Sequence, residues 1–189
     1  VIVPIYKNDE QKSVIHSKVQ PLLVGLKNAG IRYKYDDSDN ARPGWKFAEY
    51  EMKGVPVRIT IGARDVENNS VEVARRDLKQ KTVMSMDGLI PNISALLDEI
   101  QKSIFNKALE FRKAMTTNVE TFDEFKTVLQ EKGGFISAHW DGFSGTEEKI
   151  KELTKATIRL IPLEDDGESG KCILTGKPSK RRVIFAVAY

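Results

Sequence analysis

The first six residues, VIVPIY, form a β-branched run that predicts a strand. Between Asp9 and Asn28, Ile15, Val19, Leu22, Leu23 and Leu26 recur at helical spacing, which predicts a helix kinked at Pro21 and stopped at Gly30. Residues 31–35 alternate as a second strand. The turn-rich DDSDNARPG then leads into a short helix from Trp45 to Met52, closed by Gly54. Three strand-like runs follow, VPVRITIG, VEVARRD and KTVMSM, the first two joined by ENNS as a hairpin-like turn. This order predicts an α/β domain over residues 1–100, a mixed five-stranded sheet flanked by helices. Beyond it, Ile93, Leu96, Leu97, Ile100, Ile104, Ala108 and Phe111 continue one helical stripe, so residues 101–120 read as a connecting helix and linker, broken at TTNVET. Phe122, Phe125, Val128 and Leu129 predict another helix, ended by Gly133 and Gly134. FISAHW, TIRLIPLE and RRVIFAVAY read as strands, with a helix from Thr146 to Ala156. Residues 121–189 are therefore expected to form a smaller α+β domain.

Composition narrows the classes. The chain has 189 residues, 40% of them hydrophobic, enough for one large or two small domains with a real core. No run approaches the roughly 20 apolar residues of a membrane helix, and VIVPIYKND lacks the features of a signal peptide, so a soluble protein with no membrane partner is expected. The absence of a start methionine predicts a piece cut from a longer chain. One cysteine, Cys172, excludes an internal disulfide and a zinc site built from several cysteines of this chain, and fits a reducing compartment, by default the cytoplasm. A formal charge of +3 is too small to announce a nucleic-acid partner by itself.

Local chemistry says more. Residues 41–81 hold nine Lys and Arg against six Asp and Glu, together with Trp45, Phe47 and Tyr50. Cations anchor phosphates, aromatic faces stack on splayed bases, and carboxylates accept from base N–H groups, a mixture that suits RNA. A solvated charged face with Trp45 and Phe47 in the core has the same composition. KPSKRR near the C-terminus is either a phosphate-meeting patch or a loop balancing the acidic EDDGE before it. GKCILTGK has five residues between its glycines and Pro178 after its lysine, so it is not a phosphate loop. His16 and His139 have no partner at metal-ligand spacing, and no nucleophile, base and orienting acid come together. The chain alone does not read as an enzyme.

DDSDNARPGWKFAEYEMKGVPVRITIGARD, residues 36–65, resembles the anticodon-binding domain of class II aminoacyl-tRNA synthetases, in its prolyl-tRNA synthetase version. GGFISAHWDG, ATIRLIPLE, TGKPSK and the terminal FAVAY resemble the C-terminal domain that synthetases of the eukaryote-like and archaeal type append. The resemblance covers essentially the whole chain. It implies the class II anticodon-binding fold and a tRNA for proline as partner. It also implies that the catalytic core of the same polypeptide, with its ATP and Mg, lies outside this chain, so the chain itself needs no cofactor and is inactive alone. The family's enzymes are homodimers. A stand-alone accessory module binding another tRNA or a protein is the second reading, and a small-molecule enzyme the third.

Many relatives of the small domain hold zinc through four cysteines. The positions that align here are Asp141, Thr146, Cys172 and Thr175, which cannot supply a tetrahedral thiolate set, so no zinc is expected. Ser38 stands where an arginine is common, and Ala63 where a proline is usual. The resemblance also places the terminal Tyr189 near the catalytic core. Proline anticodons carry two guanines, whose edges offer N–H donors beside the O6 and N7 acceptors. The expected anticodon-binding residues are accordingly the acceptors Glu49, Glu51 and Asp65 and the donors Arg42, Lys46, Lys53 and Arg64. Trp45 or Phe47 is available for stacking.

Overall fold

The computed structural model of the protein describes residues 1–163 and 168–188. Part of the acidic loop and Tyr189 lie outside the described residues, and with Tyr189 its expected role beside a catalytic core. The chain divides into two compact units, Val1–Asn106 and Lys107–Tyr189, each with its own apolar core.

The first unit contains β1 (Ile2–Ile5), α1 (Asp9–Asn28), α2 (Pro43–Met52), β2 (Val57–Gly62), α3 (Ala63–Glu67), β3 (Ser70–Arg75) and β4 (Gln80–Ser85), and it ends within α4 (Leu89–Ala114). The strands lie in the order β1-β2-β3-β4, with β1 and β2 parallel and the other pairs antiparallel. Residues 31–35 run parallel to the free side of β1, joined only by the bridge Ile2–Tyr35. Two backbone bonds flank that bridge, Ile2 N–H to Lys34 O at 2.8 Å and Asp36 N–H to Ile2 O at 2.9 Å. The expected fifth strand is therefore this short: its polar RYK residues offer a core little to hold.

Alternation along β2 divides the sheet into two faces. Val57, Ile59 and Ile61 meet Ile15, Val19, Leu22, Leu23 and Leu26 of α1 and Leu89, Ile93, Leu96 and Ile100 of α4. Each such side chain contributes about 1.5–3 kcal/mol on full burial, so this layer holds the unit together. Asn8 starts α1 by accepting from Gln11 N–H at 2.9 Å, and Pro21 sits within the helix without ending it. Arg58 and Thr60 point to the opposite face, where Phe47 of α2 lies against the Arg58 guanidinium, 3.7 Å from ring centroid to Cζ. Between β2 and β3 the chain does not make the tight hairpin that ENNS predicts. It forms α3 and then turns at Asn69, whose φ of 49° is left-handed, a conformation asparagine tolerates.

The second unit holds β5 (Thr116–Asn118), α5 (Phe122–Glu131), β6 (Phe135–His139), α6 (Ser144–Thr154), β7 (Thr157–Leu160), β8 (Gly170–Lys171), β9 (Pro178–Ser179) and β10 (Arg182–Ala186). Its main sheet has the order β5-β6-β10-β7, and β8 pairs with β9. TTNVET, expected only to break a helix, supplies β5, whose polar residues pair in parallel with β6. Phe125 and Phe185 centre the core edge-to-face at 5.3 Å. Arg182 ties the unit from one side, donating to Val119 O at 3.0 Å and Ser137 O at 3.3 Å while pairing with Glu120 and Glu168. The buried His139 ring bonds Ser179 Oγ at 3.2 Å and packs directly against Gly170, leaving no room there for a Cβ. Gly170→Ala is accordingly expected to destabilise this unit by about 1–3 kcal/mol, read as a lower denaturant midpoint with the m-value unchanged.

Candidate nucleic-acid interface

β1 feeds α1 on the core face, whereas residues 31–35 feed α2 on the other. Parallel strands whose connections leave in opposite directions open a crevice at their carboxyl ends. A hollow of about 260 Å³ lies there, lined by Pro4 and Tyr6 after β1 and by residues 38–43 and Lys46 after the neighbouring segment.

Buried hydrogen bonds shape that hollow. Lys46 is only 4% exposed, and its ammonium donates to Asp36 O at 3.0 Å and Ser38 O at 2.6 Å while standing 3.0 Å from the Asp36 carboxylate. Tyr50 O–H donates to the same carboxylate at 2.8 Å, and Ser38 O–H at 2.6 Å. Burial alone would raise the Asp36 pKa. The bonds from Ser38, Tyr50 and Lys46 together outweigh burial and hold the carboxyl well below the usual range. Burial and the Asp36 contact push Tyr50 up to about 12, so its O–H stays protonated and donating. On the far wall Tyr6 O–H bonds Asp37 O at 3.0 Å and Asp39 at 2.6 Å, and Lys12 pairs with Asp39 at 2.8 Å.

The expected site residues distribute around this frame. Lys46 is spent inside the chain: its donors point at the 36–38 backbone, and it is a scaffold group instead of a base reader. Arg42 and Arg64 are exposed and carry no side-chain partner among the described residues. They flank the carboxyl end, Arg42 on the hollow and Arg64 in the first turn of α3, directly after β2. Asp65 uses one carboxylate oxygen to accept from Gly62 N–H at 2.7 Å, fixing that turn. Glu49 and Lys53 pair with each other, and Lys53 lies 5.6 Å from the Tyr50 ring centroid. Glu51 is exposed near the far end of α2. α2 spans ten residues, about 15 Å at 1.5 Å per residue, so its two ends cannot serve one base. Of the two stacking candidates, Trp45 is 60% exposed, and Phe47 is covered by Arg58. Sequence reasoning missed Tyr6, Lys12, Asp36 and Asp39 as shaping groups. Their only signal was position, at the carboxyl end of a strand, in the loop beside it or, for Lys12, in the first turn of α1.

Residues 1–96 match the family described as "Anticodon binding domain", and residues 122–189 match "Prolyl-tRNA synthetase, C-terminal". The chain belongs to the anticodon-binding domain family. It is similar to the proline-tRNA ligase of Porphyromonas gingivalis, with 57% identity over 189 residues, of Bacteroides fragilis, with 56% over 193, and of Flavobacterium johnsoniae, with 54% over 189. These alignments take in 100% of this chain but only 38%, 39% and 38% of those proteins, so the chain spans less than two-fifths of each. The relatives are bacterial and do not support the eukaryote-like or archaeal subtype that the C-terminal motifs suggested.

The four positions at which the resemblance implied zinc ligands are Asp141, Thr146, Cys172 and Thr175. Asp141 accepts from Thr146 O–H at 3.0 Å, Thr175 O–H at 2.9 Å and Phe143 N–H at 3.2 Å. Three of the four aligned positions thus form a hydrogen-bonded node, and Cys172, the fourth, is the sole thiol. Two hydroxyls that donate to one carboxylate, with a single thiol, do not fit tetrahedral zinc.

Lys46→Met leaves the Asp36 carboxylate without its cation, held only by the Ser38 and Tyr50 hydroxyls, and should cost the first unit about 3 kcal/mol in chemical denaturation. Because Asp36 titrates lower folded than unfolded, its contribution is complete above about pH 4 and is lost as pH falls further, a slope that Asp36→Asn should flatten. In the second unit, Asp141→Ala strands three donors and should cost about 2 kcal/mol, whereas a chelator should leave the wild-type melting temperature unchanged.

Proposed function

We propose that this chain is the tRNA-recognition part of a prolyl-tRNA synthetase. It reads the two guanines of the proline anticodon so that the full-length enzyme can attach proline to its tRNA through a prolyl-adenylate. In this reading ATP and Mg act in a catalytic part outside the chain, the full-length enzyme is a cytoplasmic homodimer, and no zinc or membrane is involved. Among the described residues no helix is long and apolar enough to cross a membrane. The proline-tRNA ligases that resemble the chain along its whole length support the reading.

The observation that carries it is a pair of exposed guanidinium groups with no side-chain partner among the described residues, Arg42 on the hollow and Arg64 in the first turn of α3 after β2, together with the exposed Trp45 in the first turn of α2. Arginine meets guanine O6 and N7 with two parallel donors, the remaining acceptor capacity of Asp65 suits a guanine N–H, and Trp45 offers a stacking face. Glu49, Glu51 and Lys53, farther along α2, face a neighbouring nucleotide. The decisive experiment is equilibrium binding to proline tRNA and to the same tRNA with both anticodon guanines replaced, across a salt titration. A clear preference for the guanines is expected, and Arg42→Ala or Arg64→Ala should reduce that preference by about 1–3 kcal/mol. Equal, steeply salt-dependent binding to both tRNAs would instead mean that the surface holds phosphates only.

A further inference from the structure

A second hollow, of about 150 Å³, opens on the α2 side of the sheet at the opposite end of β2 from Arg64. Strand register builds it. Arg58 pairs with Ala74 and Ala74 with Lys81, so the three form one row across β2, β3 and β4. The small methyl group of Ala74 between two long cations leaves the space, and Arg76 and Lys79 rim it.

The electrostatics are lopsided. The Arg58 side chain is 14% exposed and its plane is fixed on Phe47, yet its Nε has no acceptor and its ion pair to Glu72 spans 3.7 Å, too long for a hydrogen bond. Lys81 shares that same carboxylate at 3.3 Å. Arg76 Nε is held by Glu51 O at 2.9 Å, which points its charge at the rim without neutralising it, and Lys79 has no side-chain partner among the described residues. Arg75 is different, since Asp77 and Glu99 complete it. Glu51, also at the rim, brings one further carboxylate. Four cations therefore face two acids. A largely covered guanidinium short of acceptors is an unfavourable arrangement, and the outer nitrogens of its fork suit phosphate oxygens. The volume is well below the roughly 300–1,000 Å³ of a site that encloses a whole ligand, and so fits one group of a larger one.

We propose that this hollow is a phosphate subsite that holds the backbone of the bound RNA beyond the bases read at the carboxyl end of the sheet. The proposal rests on the RNA-reading function above. Arg58 is its anchor, Lys79 and Lys81 supply the attracting charge, and Ala74 makes the room.

The test is the salt titration of this chain with proline tRNA and its guanine-replaced form, using Lys79→Gln/Lys81→Gln, Ala74→Leu and Arg64→Ala. The two lysines are exposed, so their removal leaves the fold intact, and Ala74→Leu fills the space without removing charge. The lysine variant should weaken both tRNAs equally and lower the salt slope by about one unit or more. Ala74→Leu should weaken both equally as well, while Arg64→Ala alone reduces the guanine preference. Wild-type affinity and slope in both hollow variants, with Arg64→Ala still impaired, would overturn the subsite and spare the reading function. No RNA binding by the wild type would overturn both. If inorganic phosphate, followed by shifts of the Lys79 and Lys81 resonances, binds in the hollow while tRNA binding ignores the variants, the site takes free phosphate and the RNA-backbone proposal falls.

Discussion

The first unit depends on one buried ammonium. Lys46 reaches from the first turns of α2 into the loop after residues 31–35 and satisfies two carbonyls and a carboxylate there. That loop has no regular backbone ladder of its own, so its shape comes from side-chain bonds. Breaking such a pair strands a charge away from water, which costs several kcal/mol, so the loop and α2 stay locked together. Arg42 then projects from a fixed place. Preorganisation of this kind lets a solvent-exposed arginine discriminate bases, because the ordering cost is met during folding.

The sheet contributes in two ways that follow from connectivity and register. Opposite crossovers after β1 and after its neighbour open the carboxyl-end hollow. The register of β2, β3 and β4 places an alanine between two cations and so makes the second hollow on the same side of the sheet as α2. Two pockets of different character thus share one helix, and its length of about 15 Å separates groups suited to bases from groups suited to backbone. In the second unit, the Asp141 node draws together chain segments through its bonds from Thr146 and Thr175. Its apolar core, centred on Phe125 and Phe185, does the remaining work.

Much of the architecture was legible in the chain. The α1 stripe, the stops at Gly30 and at Gly133 and Gly134, and the strand alternation of VPVRITIG all translate directly into structure, because apolar period and turn chemistry are local. β5 was not legible: TTN is polar and is a strand only because β6 lies beside it. Neither was α3, where ARDVE is shorter than the window that reveals helical periodicity. The geometry of the candidate site was only partly legible. Residue types suggested a region and its composition suited RNA or a solvated charged face alike, but burial separates Lys46 from Arg42 although both are cations on the same short segment. The row Arg58, Ala74 and Lys81 exists only once strands pair, so no spacing along the chain announces it.

The central claim, that Lys46 acts through Asp36 and not on RNA, is tested most directly by a double-mutant cycle. Asp36→Asn, Lys46→Met and the double variant would each be measured for stability and for affinity to proline tRNA. The account predicts strong coupling in both, with the double variant losing clearly less than the sum of the single losses. Losses in tRNA affinity that add to within about 0.5 kcal/mol would contradict it, showing that Lys46 meets the RNA independently of its buried partner.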